Sequence, residues 1–417
     1  MDFHVSKTVP ITLKMVIESY EKVRKGGKAA GIDEQSWEAF DKDRMNQFYV
    51  LWNRMTSGTY FPSAVREVEI PKKDGSKRKL GIPTLCDRIA QGVVKDYMEK
   101  RIDHLFHKQS YGYRPLKSGH QALKQVKKNC LQKAWVIDMD IAKFFDTISH
   151  ELLLKAVEAL FEEKWVKMYV KRWLEMKIVN VKGELVERGS AGTPQGGVIS
   201  PLLANLFLHY AFDKWIEQNY KGILFVRYAD DIIVHCDTKE QAEELLAAIK
   251  SRLQSVHLNI NEKKTKIVYC SDYKRKQKYA NVQFDFLGFS FQPRCSLSKF
   301  SEGKSYTTYS PQISKGNSQK IRDVINSEIN WRNSKLEIEQ IAKILNPKIR
   351  GWINYYGIFG NRGLRRIINC VDVRLIKWIK HKHKITSIRR AVKMLSAIKE
   401  SRPLLFTHWP YKEYCNL

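Results

Sequence analysis

Phe225-Val226-Arg227-Tyr228-Ala229-Asp230-Asp231-Ile232-Ile233-Val234 is the stretch on which the reading of the whole chain turns. Two apolar runs, 223–228 and 232–235, flank adjacent acids, a pattern that predicts a β-hairpin with an acidic tip. An ionised carboxylate beside an apolar core costs several kcal/mol unless something neutralises it. A divalent cation would settle Asp230 and Asp231 together; the plain alternative for two acids at a turn is ordinary turn chemistry.

A third acid strengthens the metal reading. Residues 135–141 alternate, with Trp135, Ile137 and Met139 on one face and Val136, Asp138 and Asp140 on the other, as a strand does. Asp140 stands at its end, and a helix capped by Ser149, with Glu151 in its first turn, is expected next. Three acids at two strand ends fit a pair of Mg²⁺ ions, hard cations that take oxygen ligands.

Working outward, Gly192-Thr193-Pro194-Gln195-Gly196-Gly197 makes a tight entry to a helix with Ser200 as cap and Pro201 as first residue. Its buried stripe is Leu203, Leu206, Phe207 and Tyr210. Residues 65–83 read as a basic strand, turn, strand, and residues 1–60 as mostly helical. After about Pro311 the pattern turns helical, through Leu336, Ile338, Ile341, Leu345, Ile349 and Trp352. A later helix sets Ile368, Val371, Leu375 and Trp378 against Arg374, Lys377, His381 and Lys384, a basic ridge suited to phosphates.

Charge agrees with a polyanionic partner. Of 417 residues, 73 are Lys or Arg and 44 Asp or Glu, a net +29, and 43% are hydrophobic. This describes a globular chain of two or three domains that binds nucleic acid sooner than a membrane. Residues 311–417 hold 22 Lys and Arg against 7 Asp and Glu, about half of the excess. Seven scattered cysteines with no CxxC pair predict reduced thiols and no structural zinc. No secretory leader or apolar span is visible, so a cytoplasmic, bacterial-type location is expected.

Further stretches complete the pattern: Ile70-Pro71-Lys72, Arg78 to Pro83 with Asp87-Arg88-Ile89, Ser110-Tyr111-Gly112-Tyr113-Arg114-Pro115, Lys264-Thr265-Lys266, Phe286-Leu287-Gly288-Phe289, and Ile349-Arg350-Gly351-Trp352-Ile353-Asn354-Tyr355-Tyr356. In this order, with 140–146 and 228–231, they resemble the group II intron-encoded reverse transcriptases, also called intron maturases. Residues 228–231 resemble the family's YxDD box. The resemblance implies an α+β right-hand polymerase: fingers and palm, with an antiparallel palm sheet and helices, followed by an all-helical thumb. It implies an N-terminal extension over 1–60, fingers and palm over 61–310, the maturase-specific thumb over 311–385, and a short basic DNA-binding segment over 386–417. The zinc-containing HNH endonuclease of many members is not expected.

The same resemblance implies an RNA-directed DNA polymerase. Asp140, Asp230 and Asp231 would hold two Mg²⁺ ions about 4 Å apart while a primer 3′-OH attacks the α-phosphorus of a dNTP. Lys72 and Arg78 would grip the triphosphate, Gln195 lie along the sugar and new base pair, and Phe145 crowd the sugar 2′ position, with Ile141 in the same nucleotide-binding set. Arg114, Lys266, Arg350, Arg374 and Lys377 would contact nucleic acid; Asp138 and Asp146 would be structural. Lys79 replaces the family's common Pro, and Ala142-Lys143 its Lys-Gly. Expected partners are RNA template, DNA primer, dNTPs and a group II intron RNA whose splicing and mobility the protein assists; no membrane is expected, and a homodimer is left open. Two other readings stand beside this one: a free-standing host reverse transcriptase used in DNA repair or phage defence, and an RNA-binding splicing factor without polymerase activity.

Overall fold

Side-chain caps open the first helices: Thr12 accepts from the Met15 N–H before α1 (Leu13–Arg24), and Ser36 from the Ala39 N–H before α2 (Trp37–Lys42). The computed structural model describes residues 9–71, 75, 77–297, 305–330, 332, 335–360 and 362–411. After α3 (Arg44–Thr56), β1 (Val65–Pro71) and β2 (Lys77–Ile82) form the expected antiparallel hairpin, Ile70 opposite Arg78. Then come α4 (Leu85–Ile102), α5 (Gly119–Gln132) and β3 (Trp135–Asp140). Next are α6 (Phe144–Thr147), α7 (His150–Glu158), α8 (Lys164–Leu174), β4 (Ile178–Val179) and β5 (Leu185–Val186). Ser149 caps α7 as expected, accepting from the Leu152 N–H.

α9 (Ser200–Leu208) corrects the expected cap. Ser200 is the first helical residue, and its hydroxyl donates to the Pro194 carbonyl at 2.8 Å. A single π-helical turn, His209–Asp213, leads into α10 (Lys214–Asn219). β6 (Leu224–Tyr228), β7 (Asp231–Cys236), α11 (Lys239–Ser255) and β8 (Lys266–Tyr269) follow. The strands β6, β7, β3 and β8 lie in that order in one sheet, and β2, β1, β4 and β5 in another. β7 therefore brings the acidic hairpin alongside the strand that ends at Asp140.

A third sheet, β11–β10–β9, is built from β9 (Phe284–Phe286), β10 (Phe289–Leu297) and β11 (Ser305–Ile313). The hydrophobic pattern did not reveal it, and the expected change of domain at 310/311 falls inside β11. Four helices follow: α12 (Lys315–Glu328), α13 (Ile338–Tyr356), α14 (Arg362–Lys382) and α15 (Ile388–Ser401). The architecture is α+β.

The chain falls into two compact units, Met1–Ala122 with Ile137–Ile267, and Leu123–Val136 with Val268–Leu417. In the second unit Ile321, Leu345, Ile349, Val371, Leu375 and Leu395 share one core with Phe406 and Trp409. Each such buried aliphatic side chain stabilises by roughly 1.5–3 kcal/mol. The stretch after residue 386 thus packs with the helices before it. No helix among the described residues is long and apolar enough to cross a membrane.

Candidate active site

The hairpin turns in only two residues. Tyr228 pairs with Asp231, so Ala229 and Asp230 make the turn and Asp231 begins β7. Ala229 has φ +56°, a left-handed conformation that an L-residue adopts at a cost. Three contacts hold it there. Arg227 Nη1 donates to the Ala229 carbonyl at 3.2 Å. The 109–113 segment runs against β6, with the Arg227 N–H donating to Gln109 O at 2.9 Å and the Tyr111 N–H to Arg227 O at 2.8 Å. Gly112 lies so close that a Cβ there would stand 2.4 Å from the Ala229 nitrogen, which requires glycine.

Arg227 is wholly buried, and each of its three guanidinium nitrogens donates a hydrogen bond. Nε and Nη2 donate to Asp213 at 2.8 and 2.5 Å, and Nη1 donates to Asn205 Oδ1 at 2.8 Å. Asn205 Nδ2 in turn donates to the Gly112 carbonyl at 2.7 Å. The hairpin tip is thereby tied to α9, to the π-helical turn and to the 109–113 segment. Sequence reading passed over Arg227, Asp213 and this use of Asn205. The available signal was an arginine inside an apolar run, which demands a buried partner.

Asp140 ends β3 with the Asn261 Nδ2 donor 2.9 Å and the Lys264 Nζ 3.3 Å from its Oδ2. Burial pushes the Asp230 carboxyl up; its own backbone hydrogen bond opposes this, the Asp140 charge adds to it, and Arg78 and Lys264 pull the other way. Asp231 keeps a solvent-open face, yet the crowding protein, then the Asp230 and Asp140 charges, push its carboxyl up to about 6. Both hairpin acids thus feel the Asp140 charge. Among the described residues no group of three or more His, Cys, Asp or Glu is drawn together as a metal-ligating cluster. The chemistry of the set nevertheless fits a hard divalent cation: oxygen-only donors, with two adjacent carboxyls raised first by burial and then by neighbouring negative charge.

Gln195 bridges two elements. Its Oε1 accepts from Arg78 Nε at 2.7 Å, its Nε2 donates to Asp146 Oδ1 at 3.2 Å, and its carbonyl accepts the Gly81 N–H at 2.7 Å. Lys72 lies outside the described residues. Lys79 pairs with Glu67 at 3.1 Å. Phe145 is half-buried, its ring edge-on to Phe144 at 5.4 Å and its carbonyl accepting the Thr193 N–H at 2.7 Å.

Two of the expected contact residues are enclosed by the protein. Ile141 is 2% exposed, with its side chain in the core. Arg114 directs its guanidinium to Asp103, His107 O and Ser110 O at 2.6–3.3 Å. It is a brace for the 103–114 segment. Lys266 faces Asp138 at 3.8 Å, Arg350 and Lys377 are exposed on α13 and α14, and Arg374 is half-buried and donates to Asn326. The expected nucleic-acid contacts are thus spread over several elements.

Residues 70–291 match the family model for reverse transcriptase (RNA-dependent DNA polymerase), and residues 318–395 that for the group II intron maturase-specific domain. The chain belongs to the reverse transcriptase family. It is an RNA-directed DNA polymerase of the group II intron maturase kind. Protein YkfC of Escherichia coli K12 is 32% identical over 60% of this chain and 74% of its own length. The group II intron-encoded protein LtrA of Lactococcus lactis is 25% identical over 87% of this chain and 72% of its own. A telomerase structure from Candida albicans, solved with a TWJ fragment of telomeric RNA, aligns with 92% of this chain and 69% of its own at 12% identity and a TM-score of 0.48.

Proposed function

We propose that the protein extends a primer 3′-OH along an RNA template with dNTPs, and that it binds a group II intron RNA to assist splicing and mobility. The observation that carries the polymerase reading is the braced two-residue turn that presents Asp230 and Asp231 beside Asp140. Asp140, Asp230 and Asp231 would hold divalent cations, Mg²⁺ by their oxygen-only chemistry. When bound, such ions neutralise triphosphate charge and activate the primer hydroxyl.

The chain's own residues then act by positioning. Arg78, oriented through its Nε by Gln195, turns its remaining nitrogens to the triphosphate. Lys72 belongs to the same triphosphate grip. Phe145, tethered through its carbonyl to Thr193, walls the sugar 2′ position. In this reading the β1–β2 hairpin belongs to the fingers, the β6–β7–β3–β8 sheet is the palm, and α12–α14 form the thumb. The maturase-specific match over 318–395 and the exposed Arg350 and Lys377 support intron RNA contact there, by phosphate and shape.

Primer extension on an RNA template with Mg²⁺ and dNTPs, beside an EDTA control, tests the reading. Metal-dependent cDNA is expected. Absence of product from any primed RNA would overturn the polymerase assignment.

A further inference from the structure

Between β8 and β9 the chain makes an excursion that the catalytic reading does not use. Its ends meet: the Tyr269 N–H donates to Asn281 O at 2.9 Å, which closes a compact surface loop of the kind that is frequently functional. Asp272 Oδ1 accepts the Lys274 and Arg275 N–H groups at 2.9 Å each. Arg275 points inward, donating to Lys133 O at 2.6 Å and Cys130 O at 2.9 Å as well as to Asp272. The Tyr273 N–H donates to Thr307 O at 2.9 Å, fastening the loop to β11. The loop's one acid is therefore buried against its one arginine.

What remains outward carries no acid: three lysines and Gln277 lie between two tyrosines. Lys274, Lys276 and Lys278 are exposed, and Tyr273 and Tyr279 are 51% and 39% exposed. Tyr306 of β11, 41% exposed, stands with its ring centroid 5.9 Å from that of Tyr273 at 86°. Tyr279 is held edge-on to Trp135 at 4.6 Å. A face serving solubility alone would mix both charge signs and hide its rings.

We infer that Tyr273, Lys274, Lys276, Lys278, Tyr279 and Tyr306 form a binding surface for an unpaired RNA strand. Fixed aromatic rings stack bases of any sequence, the lysines between them meet the phosphates, and a duplex would hide the base faces the rings need. The built loop lowers the ordering cost of such contacts. The choice of RNA over DNA rests on the RNA-handling function proposed above.

The test is fluorescence anisotropy of the full chain with short oligo(U), a blunt RNA duplex and oligo(dT), over a salt series. Replacing the lysines together (K274Q, K276Q, K278Q) should flatten the dependence of log affinity on log salt for oligo(U) by about 2, roughly 0.7 per lost phosphate contact. Y273A with Y306A should weaken oligo(U) about tenfold or more with the salt slope kept, and neither set should change duplex binding beyond twofold. Y273W, which keeps a stacking face, should bind oligo(U) like the parent even where the alanine pair melts early by circular dichroism. Parental oligo(U) binding by both sets, equal loss on the duplex, loss confined to oligo(dT), or failure of Y273W to bind would each overturn the inference. A parent that fails to extend primers defeats the polymerase reading instead, since the oligo(U) comparison needs no catalysis.

Discussion

Arg227 and Asp213 form an ion pair with neither side chain exposed to solvent, three residues before the first acid of the hairpin. Removing one member of a buried pair leaves an uncompensated charge and costs about 3–5 kcal/mol. Arg227→Met should lose stability of that order in urea unfolding. Arg227→Lys keeps the charge, but a single nitrogen cannot serve Asp213, Asn205 and the Ala229 carbonyl together. It should recover part of the stability and still extend primers about tenfold more slowly at saturating dNTP, the scale of one lost positioning interaction. A parental rate in R227K would deny the arginine any part in setting the hairpin.

Asp230→Ala combined with Asp231→Ala should cut DNA synthesis by at least about 1000-fold, the scale of losing several kcal/mol of metal-borne charge stabilisation. RNA affinity should stay within a few-fold, because the basic residues named for RNA contact lie on other elements. Filter binding beside primer extension separates the two effects. Synthesis near the parental rate would mean that the metal assignment is wrong.

Phe145→Ala opens the space beside the half-buried ring while leaving the carbonyl that accepts the Thr193 N–H. Discrimination against ribonucleotides should fall by about 10- to 200-fold, the range a shape-based pocket supplies. Competing dNTP and rNTP incorporation measures it, and an unchanged ratio would return Phe145 to a packing role.

Asp372 anchors the end of the chain to α14. Burial alone would raise its carboxyl, but hydrogen bonds and charge from His408 and Lys399 outweigh that and hold it below the ordinary 3.8. Lys399 Nζ lies 2.8 Å from Oδ2, and the Trp409 indole N–H donates to Oδ1 at 3.0 Å. A depressed folded-state value means this stabilisation is complete above pH 3.8 and is lost as the pH falls through the lower folded value. Asp372→Asn should destabilise by about 3 kcal/mol at neutral pH. The gap from the parent should close below pH 3.8, read by thermal melting across an acid series.

Much of the local order was legible because it obeys short periods. Alternation marked β3, the paired apolar runs marked β6 and β7, and the cap at Ser149 follows from orphan N–H groups at a helix start. The third sheet was not legible. β10 and β11 mix Gln, Pro, Arg, Ser and Thr into their runs, and their pairing joins residues as distant as Phe289 and Ile313. The burial of Ile141 and the partners of Arg114 were not legible for a related reason: a motif gives a residue's type and neighbours, while its burial and partners depend on what packs over it.

By itself the sequence determined which residue types stand at the strand ends, that the two hairpin acids are adjacent, that the chain is strongly basic, and which family its motifs follow. These are properties of neighbours and composition, and no folding is needed to read them. Only the tertiary structure decided that Arg227 is spent inward on Asp213 and Asn205 while Arg78 is turned toward Gln195, and that Gly112 must be glycine. It also decided that Phe406 and Trp409 close a core and that Tyr273 meets Tyr306. Each of these depends on side chains far apart in sequence competing for one buried volume or one hydrogen-bond partner, and that competition is resolved only when the chain is packed.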